Sequence, residues 1–150
     1  MSAAKREPSL RERALGILAR REHTRAELAR RLGPHVEDAD QLEALLDELE
    51  RRKLLSDARY AEARVHTLSR KYGAARIERD LRARGVSKDL AGEAARRAAG
   101  TELERARTIW QRKFGSLPRN LHERAAQARF MLARGFSMDV VKRILEGRED

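Results

Sequence analysis

The feature that most constrains this chain is that it repeats itself. Arg70-Lys71-Tyr72-Gly73 returns 42 residues later as Arg112-Lys113-Phe114-Gly115. Ala83-Arg84-Gly85-Val86-Ser87-Lys88-Asp89 returns 50 residues later as Ala133-Arg134-Gly135-Phe136-Ser137-Met138-Asp139, with five of seven positions identical. The offsets differ by eight, so the later copy carries an insertion. Ser116-Leu117-Pro118-Arg119-Asn120 is the natural place for it, because Pro and Asn favour turns. A repeat this short sits near the lower limit for burying a sufficient core alone, so neighbouring copies should stack.

The repeated pieces read as helices. Charged residues make up 39% of the chain and aromatics only 4%, with Arg, Ala, Leu and Glu abundant, a mixture that suits helices rather than sheets. Residues 1–9 form a tail. Ser9-Leu-Arg-Glu12 and Thr24-Arg-Ala-Glu27 have capping-box spacing and open the first two helices. Gly33-Pro34 stops the second, glycine suiting a left-handed cap, and Asp40 to Arg52 makes a third through Leu42, Leu45, Leu46 and Leu49. Ser56-Asp57 starts a helix expected to run to Tyr72 and end at Gly73. A short helix through Ile77 and Leu81 stops at Gly85, and Ser87 caps the next. After Gly100 the cycle returns, with Leu103, Ala106, Trp110 and Phe114, then Ala128, Met131 and Leu132, then Val140, Val141, Ile144 and Leu145 facing inward. The expected architecture is all-α: three tandem three-helix, helix-turn-helix-like repeats at 10–54, 55–100 and 101–150, forming an elongated, curved array without β-wings.

Charge is placed unevenly along this array. The formal net charge is +10, yet residues 1–57 hold 12 basic and 12 acidic side chains. Residues 58–100 hold 11 and 5, and residues 101–150 hold 11 and 7, so the excess lies in the last two repeats. Such an imbalance points to an anionic partner. Six cations, Arg70, Lys71, Arg76, Arg79, Arg82 and Arg84, fall within 15 residues against Glu78 and Asp80. Arg76, Arg79 and Arg82 approximate one helical stripe that could follow a phosphate backbone or an acidic protein groove, the plain alternative being a solvated face. Arg112, Lys113, Arg129 and Arg134 extend the candidate binding set into the third repeat.

Other chemistry finds little foothold. There is no cysteine, hence no disulfide or thiolate metal site, which fits a cytoplasmic setting. No apolar run approaches the ~18 residues that span a bilayer, and the N-terminus lacks a secretory apolar region, so no membrane role is expected. Ser2-Ala-Ala-Lys5 matches a catalytic Ser-x-x-Lys pattern only by chance. His23, His35, His66 and His122 are scattered without metal-ligand spacing, and no glycine-rich phosphate loop is present. Tyr60, Tyr72, Trp110, Phe114 and Phe136 fall at inward positions or joints and are assigned to packing rather than base stacking. The expectation is a non-enzyme without cofactor. The Gly-x-Ser joints are helix–turn–helix turns, which serve bundles generally and also place helices in DNA.

Three segments in register resemble the RecX family of regulatory proteins that act on the RecA recombinase. They are residues 13–28, containing Arg25, Glu27 and Leu28; residues 54–61, containing Asp57, Arg59, Tyr60 and Ala61; and residues 133–137, containing Gly135 and Phe136. Gly73 and Gly85 belong to the same structural marks. Lys53 stands where the family has glycine, and Thr24 where serine is usual. The resemblance implies a regulator that binds the groove of the RecA–DNA filament and restrains recombinase, ATPase and coprotease activities. It would be a monomer with weak, non-specific affinity for single- and double-stranded DNA. The alternatives are a helix-turn-helix transcriptional regulator acting without RecA, and an adaptor with no nucleic-acid role.

Overall fold

In the computed structural model residues 6–148 are described, and every regular element among them is helical. The helices are α1 (Leu10–Arg20), α2 (Arg25–Leu32), α3 (Ala39–Arg51), α4 (Asp57–Leu68), α5 (Ala74–Ala83), α6 (Lys88–Ala99), α7 (Glu102–Lys113), α8 (Leu121–Ala133) and α9 (Met138–Leu145). None is long and apolar enough to cross a membrane. The Ser2–Lys5 pattern lies outside the described residues. Contacts divide the chain into two compact bodies. The first holds the chain through Tyr60 together with Arg84–Val86; the second holds Ala61–Ala83 and the chain from Ser87 onward.

The first body is built on leucine. Ala14, Leu28, Leu32, Leu45, Leu46, Leu49 and Leu55 are buried together, each leucine contributing about 1.5–3 kcal/mol of burial. Thr24 and Glu27 complete a reciprocal capping box. At Ser9 only half of the motif forms: Ser9 accepts from the Glu12 N–H, while the Glu12 carboxylate turns to Arg6 at 2.8 Å. The left-handed cap expected at Gly33 is absent. Gly33 has φ −46° and leads into a 3-10 turn, Gly33–His35, with Pro34 at its start, where a missing N–H costs nothing. The left-handed residue is instead Lys53, with φ 61°. Its carbonyl accepts from the Arg59 guanidinium at 2.9 Å, and Arg59 also pairs with Glu22. Asp57 accepts the Arg25 N–H at 2.8 Å, and partial burial pushes its carboxyl above the usual range.

In the second body α5 turns Ile77 and Leu81 inward, and α6 lines its inner face with Ala91, Ala94, Ala95 and Ala98. Alanines allow these two helices to approach closely. Ala106, Trp110, Met131, Phe136, Val141, Ile144 and Leu145 form the core further along. Trp110 is buried without losing a hydrogen bond: its Nε1–H donates to Gln127 at 2.8 Å, and Gln127 in turn donates to the Ser116 carbonyl at 3.2 Å. Helix α4 stops at Leu68, four residues short of the expected end at Tyr72. The carbonyls beyond it are taken by Arg105, which donates to Ser69 at 2.8 Å and Tyr72 at 2.6 Å, and also to Ala98 at 2.7 Å. Burial pushes the Arg105 guanidinium below its ordinary range.

Candidate functional site

The two repeated marks meet in space. In the second body the Gly73 N–H donates to the Arg134 carbonyl at 2.8 Å, so the first mark lies across the second copy of the joint. A Cβ on Gly73 would collide with the Gly135 carbonyl, and one on Gly135 would collide with Arg76. Gly73 therefore does not cap a helix, as the sequence suggested; it permits a backbone crossing. Gly135 has φ +89° and needs glycine on both counts. The first body contains the corresponding crossing. Gly85, at φ +94°, presses against Ala26, and the Thr24 hydroxyl donates to the Arg84 carbonyl at 2.7 Å. Each joint thus serves the turn and also packs against the beginning of the preceding repeat's second helix.

Side chains gather over the Gly73–Gly135 crossing. The Arg76 guanidinium lies 3.9 Å from the Tyr72 ring centre, and Arg134 lies between Tyr72 at 5.7 Å and Phe130 at 4.9 Å. Lys113 reaches Phe130 at 5.2 Å, and Phe114 meets the same ring edge-on at 5.5 Å. Tyr72 is only half-buried. Its assignment to packing alone needs correction: it is a platform that orders cations. Arg76 donates to the Ala133 carbonyl at 3.2 Å and Arg134 to that of Lys71 at 3.4 Å, fixing both guanidinium groups. Arg76 and Arg79 line a shallow groove with Asp80 and Ala133.

The acid in that groove is largely answered from the core side. Arg64 grips Asp80 through two bonds of 2.9 and 3.1 Å, which leaves the α5 surface more cationic than its sequence suggests. Arg70, Lys71, Arg79, Arg82, Arg112, Lys113 and Arg129 are exposed, and among the described residues no carboxylate pairs with them. Arg84 behaves differently: it belongs to the first body and pairs with Glu27 at 3.6 Å. The motif arginines of the first body are structural as well. Arg25 binds Glu43, Asp47 and Glu50 at 2.6–2.9 Å, and these carboxylates hold its guanidinium far above the ordinary range.

One functional-looking residue escaped the sequence reading. Glu102 is 5% exposed, and its carboxylate accepts the Ala74 N–H at 2.6 Å and the Ser137 N–H at 3.3 Å. It thereby caps the starts of α5 and α9 through two amides that lie 63 residues apart in the chain. A single glutamate at a helix start carries no signal of so distant a partner. No group of acids and histidines able to hold a metal occurs among the described residues.

These features define a class: a basic, all-helical protein of tandem helix–turn–helix repeats joined through glycine crossings, with a cation–aromatic surface. The chain belongs to the RecX family. The family's second three-helix domain matches residues 56–94 and its third matches residues 101–145. The Regulatory protein RecX of Ralstonia nicotianae is 48% identical over 148 residues, covering 98% of this chain and 93% of the relative. That of Leptothrix cholodnii is 46% identical over 145 residues, covering 97% and 92%. The crystal structure of RecX from Lactobacillus salivarius has the same fold, with a TM-score of 0.80 at 20% identity, over 92% of this chain and 93% of that one.

Proposed function

We propose that this chain regulates the RecA recombinase by lodging in the helical groove of the RecA–DNA filament, where it restrains recombinase, ATPase and coprotease activities without chemistry of its own. The observation that carries this reading is near-full-length similarity to proteins named Regulatory protein RecX. The basic surface of the second body supports it, because a protein–DNA groove presents both phosphates and carboxylates to unpaired guanidinium and ammonium groups. On this reading the chain acts as a cytoplasmic monomer. Its own affinity for single- or double-stranded DNA is weak and indifferent to sequence, since phosphate contacts position a protein without reading bases.

The deciding experiment measures DNA-stimulated ATP hydrolysis by RecA while this chain is titrated in. The expected result is inhibition at stoichiometric or lower amounts. If hydrolysis is unaffected while one duplex sequence is bound in preference to competitor DNA, the chain is a helix-turn-helix transcriptional regulator instead.

A further inference from the structure

The insertion within the third repeat builds a surface of its own. Gly73 matches Gly115, and Ala74 matches Arg124, so residues 116–123 have no counterpart in the preceding repeat. Those eight residues carry Leu117 and Leu121, two of the four large hydrophobic side chains exposed among the described residues. They also start α8 three residues earlier than α5 starts in the matching frame. Leu121, 84% exposed, stands on this extra turn; Met138, 52% exposed, stands at the start of α9. Together with Ala125 and Val141 they line an apolar groove of about 350 Å³ between α8 and α9.

The inserted segment is fixed by ordinary bonds. Ser116 is tied to the core through Gln127 and Trp110. Asn120 caps α8 by accepting from the Glu123 N–H at 2.9 Å, and Glu123 accepts the Arg119 N–H at 2.8 Å. Leu117 packs beside Gly147, just beyond the end of α9. An exposed leucine fixed in place, on a chain of mean hydropathy −0.75, favours a partner more than it favours folding. The rim selects the partner's charge. Arg124 and Lys142 are the charged residues lining the groove; Lys142 has no acidic partner among the described residues, and Arg124 is held only loosely by Glu146 at 3.9 Å. Asp139, beside Met138, pairs with Arg143 at 3.4 Å, and Glu123, beside Arg124, pairs with Arg119 at 3.3 Å.

We propose that this insertion-built groove docks an acidic amphipathic helix of a partner protein. Apolar side chains at i, i+4 and i+7 would lie against Leu121, Ala125 and Met138, with carboxylates meeting Arg124 and Lys142. The groove is distinct from the Tyr72–Arg134 surface, and the proposal stands whether or not the partner is RecA.

The test presents the full chain to a display library of helix-forming peptides of about 16 residues. Enrichment of sequences with that apolar spacing and flanking Asp or Glu is the expected result. One enriched peptide, fluorescently labelled, should then bind Leu121→Glu and Lys142→Glu about tenfold or more weakly, as central contacts at an interface do. Both side chains are exposed, so the melting profiles of the variants should match the parent. Enrichment of basic peptides, no enrichment, or unchanged affinity in both variants would overturn the proposal. So would a dimer of the parent chain in sedimentation that Leu121→Glu dissolves, because the groove would then belong to a second copy.

Discussion

Lys53 shows how one residue can satisfy a turn while straining against it. Its φ of 61° is a conformation that costs a residue with a Cβ about 1–2 kcal/mol. Lys53→Gly should therefore raise stability by about 1 kcal/mol, read as a higher urea midpoint with an unchanged slope. The sequence marked this site, because glycine is expected there in the family, but not whether the turn survives with lysine. It does, and Arg59 holds the Lys53 carbonyl. Glu102 poses the opposite case. Its carboxylate serves two helix starts at once, so Glu102→Ala leaves two N–H groups without their acceptor and should cost about 2–4 kcal/mol. Glu102→Gln, with one carbonyl oxygen in place of two, should fall between. Thermal melts of the three proteins check this. Nothing local distinguishes Glu102 from any solvated acid, since its role depends on contacts far along the chain.

At the scale of helices and joints, sequence reading worked where the chemistry is local. Ser9, Thr24, Ser87 and Ser137 each accept the expected backbone N–H, and Gly85 and Gly135 hold the positive φ that their place before a capping serine implies. It failed where tertiary neighbours decide. Helix α4 ends at Leu68 while Arg105 takes the carbonyls of Ser69 and Tyr72 beyond it, and Gly33 remains right-handed because a 3-10 turn takes over. Gly73 separates the two kinds of glycine. Its backbone is of the ordinary kind, yet a methyl group there would collide with the Gly135 carbonyl, which is backbone and cannot step aside. Gly73→Ala should destabilise well beyond the ~1 kcal/mol of a propensity change, even though alanine is the better helix former. Gly85→Val and Gly135→Val should do the same through both φ and collision. Denaturation midpoints of the three variants beside Gly16→Ala, where the added group meets nothing, supply the comparison.

Across the whole molecule the net charge located the cationic surface but not its organisation. The excess of cations beyond residue 57 was legible by counting. The pairing of Arg84 with Glu27, the neutralisation of Asp80 by Arg64 and the ordering of Arg76 and Arg134 on Tyr72 were not, because each joins residues 4 to 62 positions apart. Replacing Arg76, Arg79 and Arg82 together by Gln should weaken filament or DNA binding while leaving helicity intact. If all three meet phosphates of duplex DNA, the slope of log K against log salt should fall in magnitude by about 2–3. If they meet carboxylates of RecA, bare-DNA affinity should hold while inhibition drops; loss of neither activity would leave the stripe a solvated face. The glycine crossings carry a separate consequence for descent. Because the Gly73–Gly135 crossing is made largely of main chain, most of the side chains around it are free to vary without undoing the joint. A segment copied from one joint to the next also carries both halves of its connector. Gene duplication could therefore lengthen such an array without first inventing an interface.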